Sequence, residues 1–267
     1  MRSIWKGSIS FGLVHIPVRL YAATEDRRVQ FHLLHRRCGT RVRYRRWCEH
    51  CRLELENEDI ARAYPWAPDE YVIVEEDDLE QLPLPTAKTV AIHSFVRLDH
   101  IDPIYFDRTY FLEPVDGGGR AYALLREAMR QTGRAALARV ALRNKESLAC
   151  VRVYGDQALA LETMHRPDEI RSPEILPGLA GDQPPADPRE LALAVDLVDR
   201  LTGPFAPEEY RDEYREALLA LIEARVRGRQ ITVPPAPPAA PVVDLMEALR
   251  ASLQQAEQAG PAPVRRS

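Results

Sequence analysis

Residues 136–166, ALARVALRNKESLACVRVYGDQALALETMHR, contain three short apolar runs separated by short polar turns. Short runs rich in apolar residues and bounded by turn residues are typical of β-strands. Upstream of them, residues 89–98 and 109–115 give two further strand patterns. Residues 8–24 indicate two more strands, which we expect to join near Pro17 because proline cannot donate to a central ladder.

One helix interrupts these strands. The stretch before Gly133 has apolar residues at helical spacing, with Leu124, Leu125, Ala128 and Met129 expected on one side and Gly133 as the stop. Many short strands at close spacing with a single helix among them favour a β-barrel over a doubly wound sheet. Cys150 falls inside an apolar strand pattern and is predicted to be a core residue.

The most unusual composition lies between Arg27 and Arg52, a segment we call the arginine ribbon. It holds nine arginines, three of the four cysteines and only one acid, Glu49. Residues 22–52 carry a local charge of +6, whereas the whole chain carries −4. Affinity for a polyanion depends on the local field more than on the sum, so the ribbon is predicted to contact a phosphate backbone.

Within the ribbon, residues 41–47 read RVRYRRW. A period of two predicts a strand with Arg41, Arg43 and Arg45 on one face and the apolar residues on the other. The next segment, residues 54–80, holds eleven Asp or Glu and a single Arg, a net −10. Two readings stay open for it: a solvated face, or a surface that rejects nucleic acid.

Four residues of the ribbon have the spacing of a metal site. His35, Cys38, Cys48 and Cys51 follow H-x2-C-x9-C-x2-C, and two such pairs can close a tetrahedron around a structural Zn²⁺. Such a short segment has few apolar residues with which to form a hydrophobic core, so metal binding could supply the free energy for its folding. In the alternative, the cysteines are reduced and idle and the histidine contacts phosphate.

Several function classes are disfavoured. No run of 18 apolar residues exists, and the amino terminus lacks the pattern of a secretory signal. No Walker loop, dinucleotide fingerprint or GxSxG motif is found, and the acids at 75–78 are consecutive instead of convergent. Gly117, Gly118 and Gly119 are expected to form a turn and helix start. The expectation is a protein without catalytic activity, without a catalytic cofactor and without a membrane partner.

From about residue 187 the pattern becomes helical. Asp187 is predicted to cap a first helix with Pro188 in its first turn, and a second helix is predicted from Pro207 to residue 228. Residues 233–241 are a proline-rich spacer, and residues 244–255 form a short amphipathic helix. Its leucine stripe is too narrow to fold alone, so it packs on its own dimer or on a partner protein.

Long stretches of the chain resemble the bacterial Ku family, the DNA-end-binding proteins of non-homologous end joining. The resemblance begins with SIWKGSISFGLVHIPVRLYAATED and continues in order over roughly residues 1–255. It includes LHRRCGTRVRYRRWCEHC, DEYVIVEEDDLEQL, IDPIYFDRTYFLEP, ALARVALRNKESLACVRVYG, FAPEEYRDEYREALLALIEARVRG and VVDLMEALRASL.

The resemblance implies a mixed β/α fold: a Ku-like β-barrel core with an inserted DNA-encircling bridge, followed by a helical carboxyl-terminal arm. The implied divisions are the core at 1–186 with the bridge at about 24–68, the arm at 187–232, the linker at 233–241, and a short helix and tail at 242–267. It also implies a homodimer that closes a ring around double-stranded DNA ends, recruits the end-joining DNA ligase, and acts in the cytoplasm at the nucleoid.

The residues predicted to contact DNA are the arginines of the ribbon before Trp47: Arg27, Arg28, Arg36, Arg37, Arg41, Arg43, Arg45 and Arg46. Two other functions compete with end binding. A zinc-ribbon transcriptional regulator is suggested by the CxxC hairpin, but no helix-turn-helix or basic recognition helix stands out. A metal-dependent nuclease is opposed by the filled ligand set and by the absence of a carboxylate cluster.

Overall fold

The structure is a computed structural model that describes residues 1–81, 88–142, 145–179, 187–228 and 245–259. It divides into two compact units. The first comprises Met1–Arg27 and Phe31–Ser172, and the second comprises Arg28–Gln30 and the described residues from Pro173 onward. Within the described residues, no helix is long and apolar enough to span a lipid bilayer.

The described residues of the first unit form eleven strands and two α-helices. The elements in chain order are β1 (Trp5–Phe11), β2 (Val14–Ala22), β3 (Trp47–Cys48), β4 (Leu53–Glu54), β5 (Arg62–Ala67), β6 (Glu70–Val74), α1 (Glu76–Glu80), β7 (Thr89–Arg97), β8 (Phe106–Pro114), α2 (Gly119–Thr132), β9 (Arg134–Leu142), β10 (Lys145–Tyr154) and β11 (Ala158–Met164). The four strands β3 to β6 and α1 all lie in the insertion between β2 and β7.

Seven strands form a closed barrel in the order β1, β2, β8, β11, β10, β9, β7. All neighbours are antiparallel except β1 and β7, which close the barrel in parallel with Ile9 opposite Val90. The interior is filled by small and branched residues that alternate along the strands, such as Ile16, Val18 and Leu20. With the helices that follow β11, this architecture confirms the predicted mixed β/α fold with a barrel core.

Helix α2 packs against this core through Tyr122, Leu125 and Met129, all buried, and ends at Gly133 in the left-handed region with φ +62. The predicted stop is therefore confirmed. The predicted apolar side was partly wrong, because Leu124 is 71% exposed and Ala128 is also exposed, whereas the aromatic Tyr122 is buried. The hydroxyl of Tyr122 donates to Leu112 O and accepts from Leu159 N, both at 2.7 Å, which ties the helix to β8 and β11.

Cys150 is fully buried, as predicted, but in a second small cluster with Ala135 and Met164. Its neighbours in the strand, Ala149 and Val151, point into the barrel, so Cys150 faces the other side of β10. Burial is the main cause that raises the pKa of its thiol to about 12, and the charge of Glu162 adds to it. The thiol is therefore a packing group, consistent with the sequence prediction.

The first hairpin turns at Gly12, with φ +57, and not near Pro17 as predicted. Pro17 lies inside β2, opposite Ser8. Pairing of β2 with β8 begins one residue later, at Val18. Val115, the residue after β8, donates its N–H to Pro17 O at 3.0 Å, and its own carbonyl accepts from Gly118 N at 2.9 Å. The missing N–H of proline therefore leaves no acceptor unpaired at Val115.

The second unit contains α3 (Pro188–Leu201), α4 (Glu213–Val226) and α5 (Leu245–Ala259). The carboxylate of Asp187 caps α3, as predicted, accepting from Arg189 N at 2.8 Å. The helix expected from Pro207 instead begins at Glu213, capped by Asp212, because residues 207–209 form a single 3-10 turn. Helix α5 packs against α3. The predicted spacer at 233–241 lies outside the described residues.

Candidate nucleic-acid interface

The arginine ribbon folds into two tight turns. In the first, Leu34 and Arg41 form an antiparallel bridge, and His35 N donates to Thr40 O at 2.8 Å. Gly39 closes this turn with φ +69, a conformation that favours glycine. The first half of the ribbon is therefore a small hairpin without any larger sheet behind it.

The second turn connects β3 to β4. Trp47 pairs with Glu54 and Cys48 with Leu53, and Arg52 N donates to Cys48 O at 2.8 Å. The strand predicted over residues 41–47 is therefore wrong: only the bridge at Arg41 and the two residues of β3 are paired. An alternating sequence forms a strand only where another segment pairs with it along its length. Here Leu55 N donates to Arg46 O at 2.9 Å, but no described segment forms a ladder with residues 43–46.

All eight predicted DNA-binding arginines are exposed to solvent. Arg27 forms an ion pair with Glu25 at 3.2 Å, Arg45 pairs with Glu54 at 2.6 Å, and Arg46 hydrogen-bonds the side chain of Asn57. Such exposed pairs contribute little to stability and exchange readily with other anions. The guanidinium groups are therefore accessible to phosphate groups. The exposed positions are Arg27, Arg28, Arg36, Arg37, Arg41, Arg43, Arg45 and Arg46.

The four predicted metal ligands are brought together in two pairs. His35 Nδ1 is 2.9 Å from Cys38 Sγ in the first turn, and Cys51 N donates to Cys48 Sγ at 3.4 Å in the second. Hydrogen bonds from Thr40 and then His35 lower the pKa of Cys38 to about 7, and the Cys51 backbone lowers the pKa of Cys48. These two shifts favour thiolates, the form that Zn²⁺ binds, whereas the hydrogen bond with Cys48 and then the charge of Cys48 raise the pKa of Cys51.

The two pairs are not gathered into one cluster. Among the described residues, no group of three or more His, Cys, Asp or Glu side chains is placed to hold a metal ion. The donor atoms are of the types that Zn²⁺ binds, and each turn supplies two of the four ligands of a tetrahedral site. Completing the site would require the two turns to approach each other.

The acidic segment, residues 54–80, contains a second hairpin, formed by β5 and β6. Arg62 lies opposite Val74 and Tyr64 opposite Val72, and the two strands form a sheet of their own. Most of its side chains are exposed, including Trp66 at 73% and Tyr71 at 68%. An acidic surface with large exposed apolar residues is a poor match to a phosphate backbone.

Sequence reasoning missed a cavity on the barrel lined by Arg97, Arg134 and Arg152. Arg97 and Arg134 lie directly opposite each other in the β7–β9 ladder. Arg152 Nη2 is 2.6 Å from the buried carboxylate of Glu162, and Arg97 binds Asp99, lowering the pKa of that carboxyl. Only the long-range strand register brings these residues together, so spacing along the chain carries no signal for them.

Comparison with known proteins agrees with the barrel fold. Residues 10–193 match the family model described as the Ku70/Ku80 beta-barrel domain. The chain is 50% identical over 258 residues to the non-homologous end joining protein Ku of Symbiobacterium thermophilum, covering 96% of this chain but 64% of that protein. The chain thus spans less than two thirds of that relative.

Two further relatives are matched over nearly their whole length. The Ku protein of Heliobacterium modesticaldum is 46% identical, with 96% of this chain and 93% of the relative covered. The Ku protein of Archaeoglobus fulgidus is 43% identical, with 87% and 91% covered. These matches leave no support for the zinc-ribbon regulator, and the chain belongs to the Ku family of non-homologous end joining proteins.

Proposed function

We propose that this chain binds the ends of double-stranded DNA as a homodimeric ring and recruits and stimulates the end-joining DNA ligase. It acts as a scaffold at the nucleoid and has no catalytic activity of its own. The observation that carries the proposal is the arginine ribbon: eight exposed arginines before Trp47 in a chain of net charge −4. The names of the relatives, which assign them to non-homologous end joining, agree with it.

The ribbon suits binding that does not depend on base sequence. Arginines that contact phosphates and sugars set position and affinity but do not read bases. No recognition helix lies in the ribbon, whose described residues form only turns and short strands. Selectivity must then come from topology, because a closed ring can load only where the duplex has an end. Two copies bring two ribbons, a combined +12 for residues 22–52.

The proposed ligase contact lies on the helical arm at 187–232. Helix α3 exposes an apolar stripe at spacings of four and three, formed by Leu191, Val195 and Val198, at 54%, 51% and 63% exposure. Other apolar residues of α3 are less exposed, namely Leu193, Ala194 and Leu197. Helix α5 packs against α3 as well. The exposed stripe has the pattern that fits a hydrophobic groove of a partner protein.

A gel-shift series tests end binding. We expect the protein to bind linear duplex, and to bind the same duplex poorly when both ends are blocked by bulky hairpins or when it is closed into a circle. Equal affinity for linear and circular DNA would contradict the ring. Linearising the circle with a restriction enzyme is the matched control, because sequence and length stay the same.

A ligation assay tests recruitment. Replacing Leu191, Val195 and Val198 together by Ser should lower ligase stimulation and leave the gel shift on linear DNA unchanged. The control is Val226→Ser, which removes an 82% exposed apolar side chain from α4. Undiminished stimulation by the triple variant would remove the ligase contact from α3.

We also propose that His35, Cys38, Cys48 and Cys51 hold one structural Zn²⁺ per chain. The support is the donor set and the two paired turns; bound metal would draw the turns together and stiffen the ribbon. Elemental analysis of protein purified without chelators should find close to one equivalent of zinc. Cys48→Ser should lose the metal and weaken DNA binding while the dimer persists, whereas Cys150→Ser should keep it. Well under half an equivalent in the wild type would contradict the site.

A further inference from the structure

The cavity lined by Arg97, Arg134 and Arg152, which we call the arginine cavity, has the size of a ligand site. Its volume is about 940 Å³. Sites for small molecules commonly measure about 300–1,000 Å³. Its lining residues lie between residues 97 and 162 of the first unit, and none of them belongs to the arginine ribbon. The proposed function therefore leaves this cavity without a role.

The arginine cavity carries more positive than negative charge. Its charged lining residues are three arginines and two carboxylates, Asp99 and Glu162, which gives a net +1. Arg97 pairs with Asp99 and Arg152 pairs with Glu162, whereas no carboxylate of the described residues lies within ion-pair distance of Arg134. One guanidinium group is therefore available to an added anion.

The position of this guanidinium favours a bound anion. Arg134 lies directly opposite Arg97 in the β7–β9 ladder. Residues that are directly opposite in an antiparallel pair project to the same face, and like charges at such positions are destabilising. An oxyanion between the two side chains would remove this repulsion. The planar fork of arginine also matches the oxygens of a carboxylate or a phosphate.

The third arginine of the cavity is held in a fixed orientation. Arg152 Nε and Nη2 both donate to Glu162 Oε1, at 2.9 and 2.6 Å. Glu162 is only 6% exposed, and the guanidinium of Arg152 also lies 5.6 Å from the centre of the Tyr154 ring. A side chain that is already ordered loses little conformational entropy when a ligand binds, which favours affinity.

The other walls of the cavity are largely apolar. They include Leu98, Ile101, Pro103 and Phe106. Ile101 and Phe106 are themselves packed against the buried cluster that contains Cys150. Ligand sites typically combine apolar walls with a few polar groups that fix the orientation of the ligand. An inorganic ion would leave these walls in contact with water, so the cavity favours an anion with an apolar body.

The same features are a poor match to a DNA backbone. A duplex is bound by positive charge that follows its phosphates. In the arginine cavity, two carboxylates lie among the three arginines, and apolar side chains form the rest of the lining. A small ligand can place its charge at the arginines and its body on the apolar walls, whereas a duplex cannot.

We propose that the arginine cavity binds a small organic oxyanion, a phosphate ester or a carboxylate with an apolar body. The oxyanion contacts Arg97 and Arg134, and the apolar body packs on Ile101 and Phe106. This inference does not depend on end binding by the arginine ribbon. It adds a small-molecule ligand to a chain whose proposed function involves only macromolecules.

Titrations with four matched compounds test the proposal. Phenyl phosphate and benzoate share a phenyl body and differ in the oxyanion, inorganic phosphate lacks the body, and phenol lacks the charge. The full chain carries ¹³C-labelled isoleucine methyl groups, and the ionic strength is held constant. We expect phenyl phosphate, benzoate or both to shift the Ile101 methyl resonance with a dissociation constant on the order of 1 mM, as suits ligands of this size. The tighter of the two identifies the oxyanion.

The remaining signals are the internal controls. Inorganic phosphate and phenol should bind at least about tenfold more weakly than the tighter organic anion, because each lacks one of the two kinds of contact. The Ile9 methyl group, which is fully buried in the barrel, should not shift.

A substitution locates the oxyanion. Arg134→Gln should raise the dissociation constant of the tighter organic anion at least about tenfold, because a hydrogen bond to a charged group is lost. Arg120→Gln removes an exposed arginine outside the cavity and should leave that constant unchanged. Arg134→Gln should also keep the wild-type gel shift on linear DNA, so that ligand binding and end binding are measured separately.

Four results would overturn the proposal. The first is the absence of a saturable Ile101 shift with both phenyl phosphate and benzoate. The second is equal binding by Arg134→Gln and the wild type. The third is equal binding of inorganic phosphate and the organic anions, which would mean that the apolar walls contribute nothing. The fourth is displacement of the organic anion by linear duplex, which would make the cavity part of the DNA-binding surface.

Discussion

The guanidinium of Arg45 pairs with the carboxylate of Glu54 across the β3–β4 turn, with Nη1 and Oε2 2.6 Å apart. Glu54 is also the first acid of the segment that carries −10. The pair therefore lies at the boundary between the cationic and the acidic part of the insertion. Both side chains are exposed, Arg45 at 74% and Glu54 at 43%, so the pair adds little stability and can exchange for a phosphate.

Removing this competing acid should strengthen DNA binding. In Glu54→Gln, Arg45 loses its internal counterion, so we expect tighter end binding and a steeper log–log dependence of affinity on salt. The slope should steepen by roughly 0.9 for each additional phosphate that the protein neutralises. Glu58→Gln removes the same charge from the same segment and is the control. A response to both variants alike would mean that general charge, and not the Arg45 pair, controls affinity.

The ribbon arginines should dominate affinity. Replacing Arg41, Arg43 and Arg45 by Gln should shrink the salt slope by roughly 0.9 for each phosphate that the variant no longer neutralises. The matched control replaces three exposed arginines outside the ribbon, Arg120, Arg189 and Arg211, and removes the same total charge. An unchanged slope in the ribbon variant, with an unchanged circular dichroism spectrum, would show that the ribbon does not bind the DNA.

The two hydrogen bonds of Tyr122 should stabilise the barrel measurably. Tyr122→Phe leaves the buried N–H of Leu159 without its acceptor, and an unsatisfied buried group costs about 1–3 kcal/mol. We expect the free energy of unfolding in urea to fall by about 2 kcal/mol. The control is Tyr154→Phe, because that ring is 52% exposed. Equal effects from the two substitutions would contradict the role of the buried hydroxyl.

The sequence predicts best what local residues control. The three strands at 136–166 and the stop at Gly133 follow from apolar runs and turn residues, and the structure confirms them. The strand expected at 41–47 and the turn expected near Pro17 were wrong, because strand pairing depends on which distant segment lies alongside. For the same reason, nothing in the local sequence predicts that Arg97 and Arg134 lie opposite each other in the β7–β9 ladder. The exposure of the ribbon, in contrast, could be predicted from its charge.

Helix α5 packs on α3, so we expect this short helix to stabilise the helical unit, and its own residues test this. Leu249 and Leu253 are half-buried, whereas Leu245 on the same helix is 59% exposed. Leu249→Ser with Leu253→Ser should lower the thermal midpoint by about 2–5 °C, the shift expected for about 1–2 kcal/mol in a chain of this size. Leu245→Ser should change it far less. Truncation before Val233 should lower the midpoint as the double variant does. If the double variant and the truncated chain keep the wild-type midpoint but no longer stimulate the ligase, α5 is instead a detachable helix that binds the ligase.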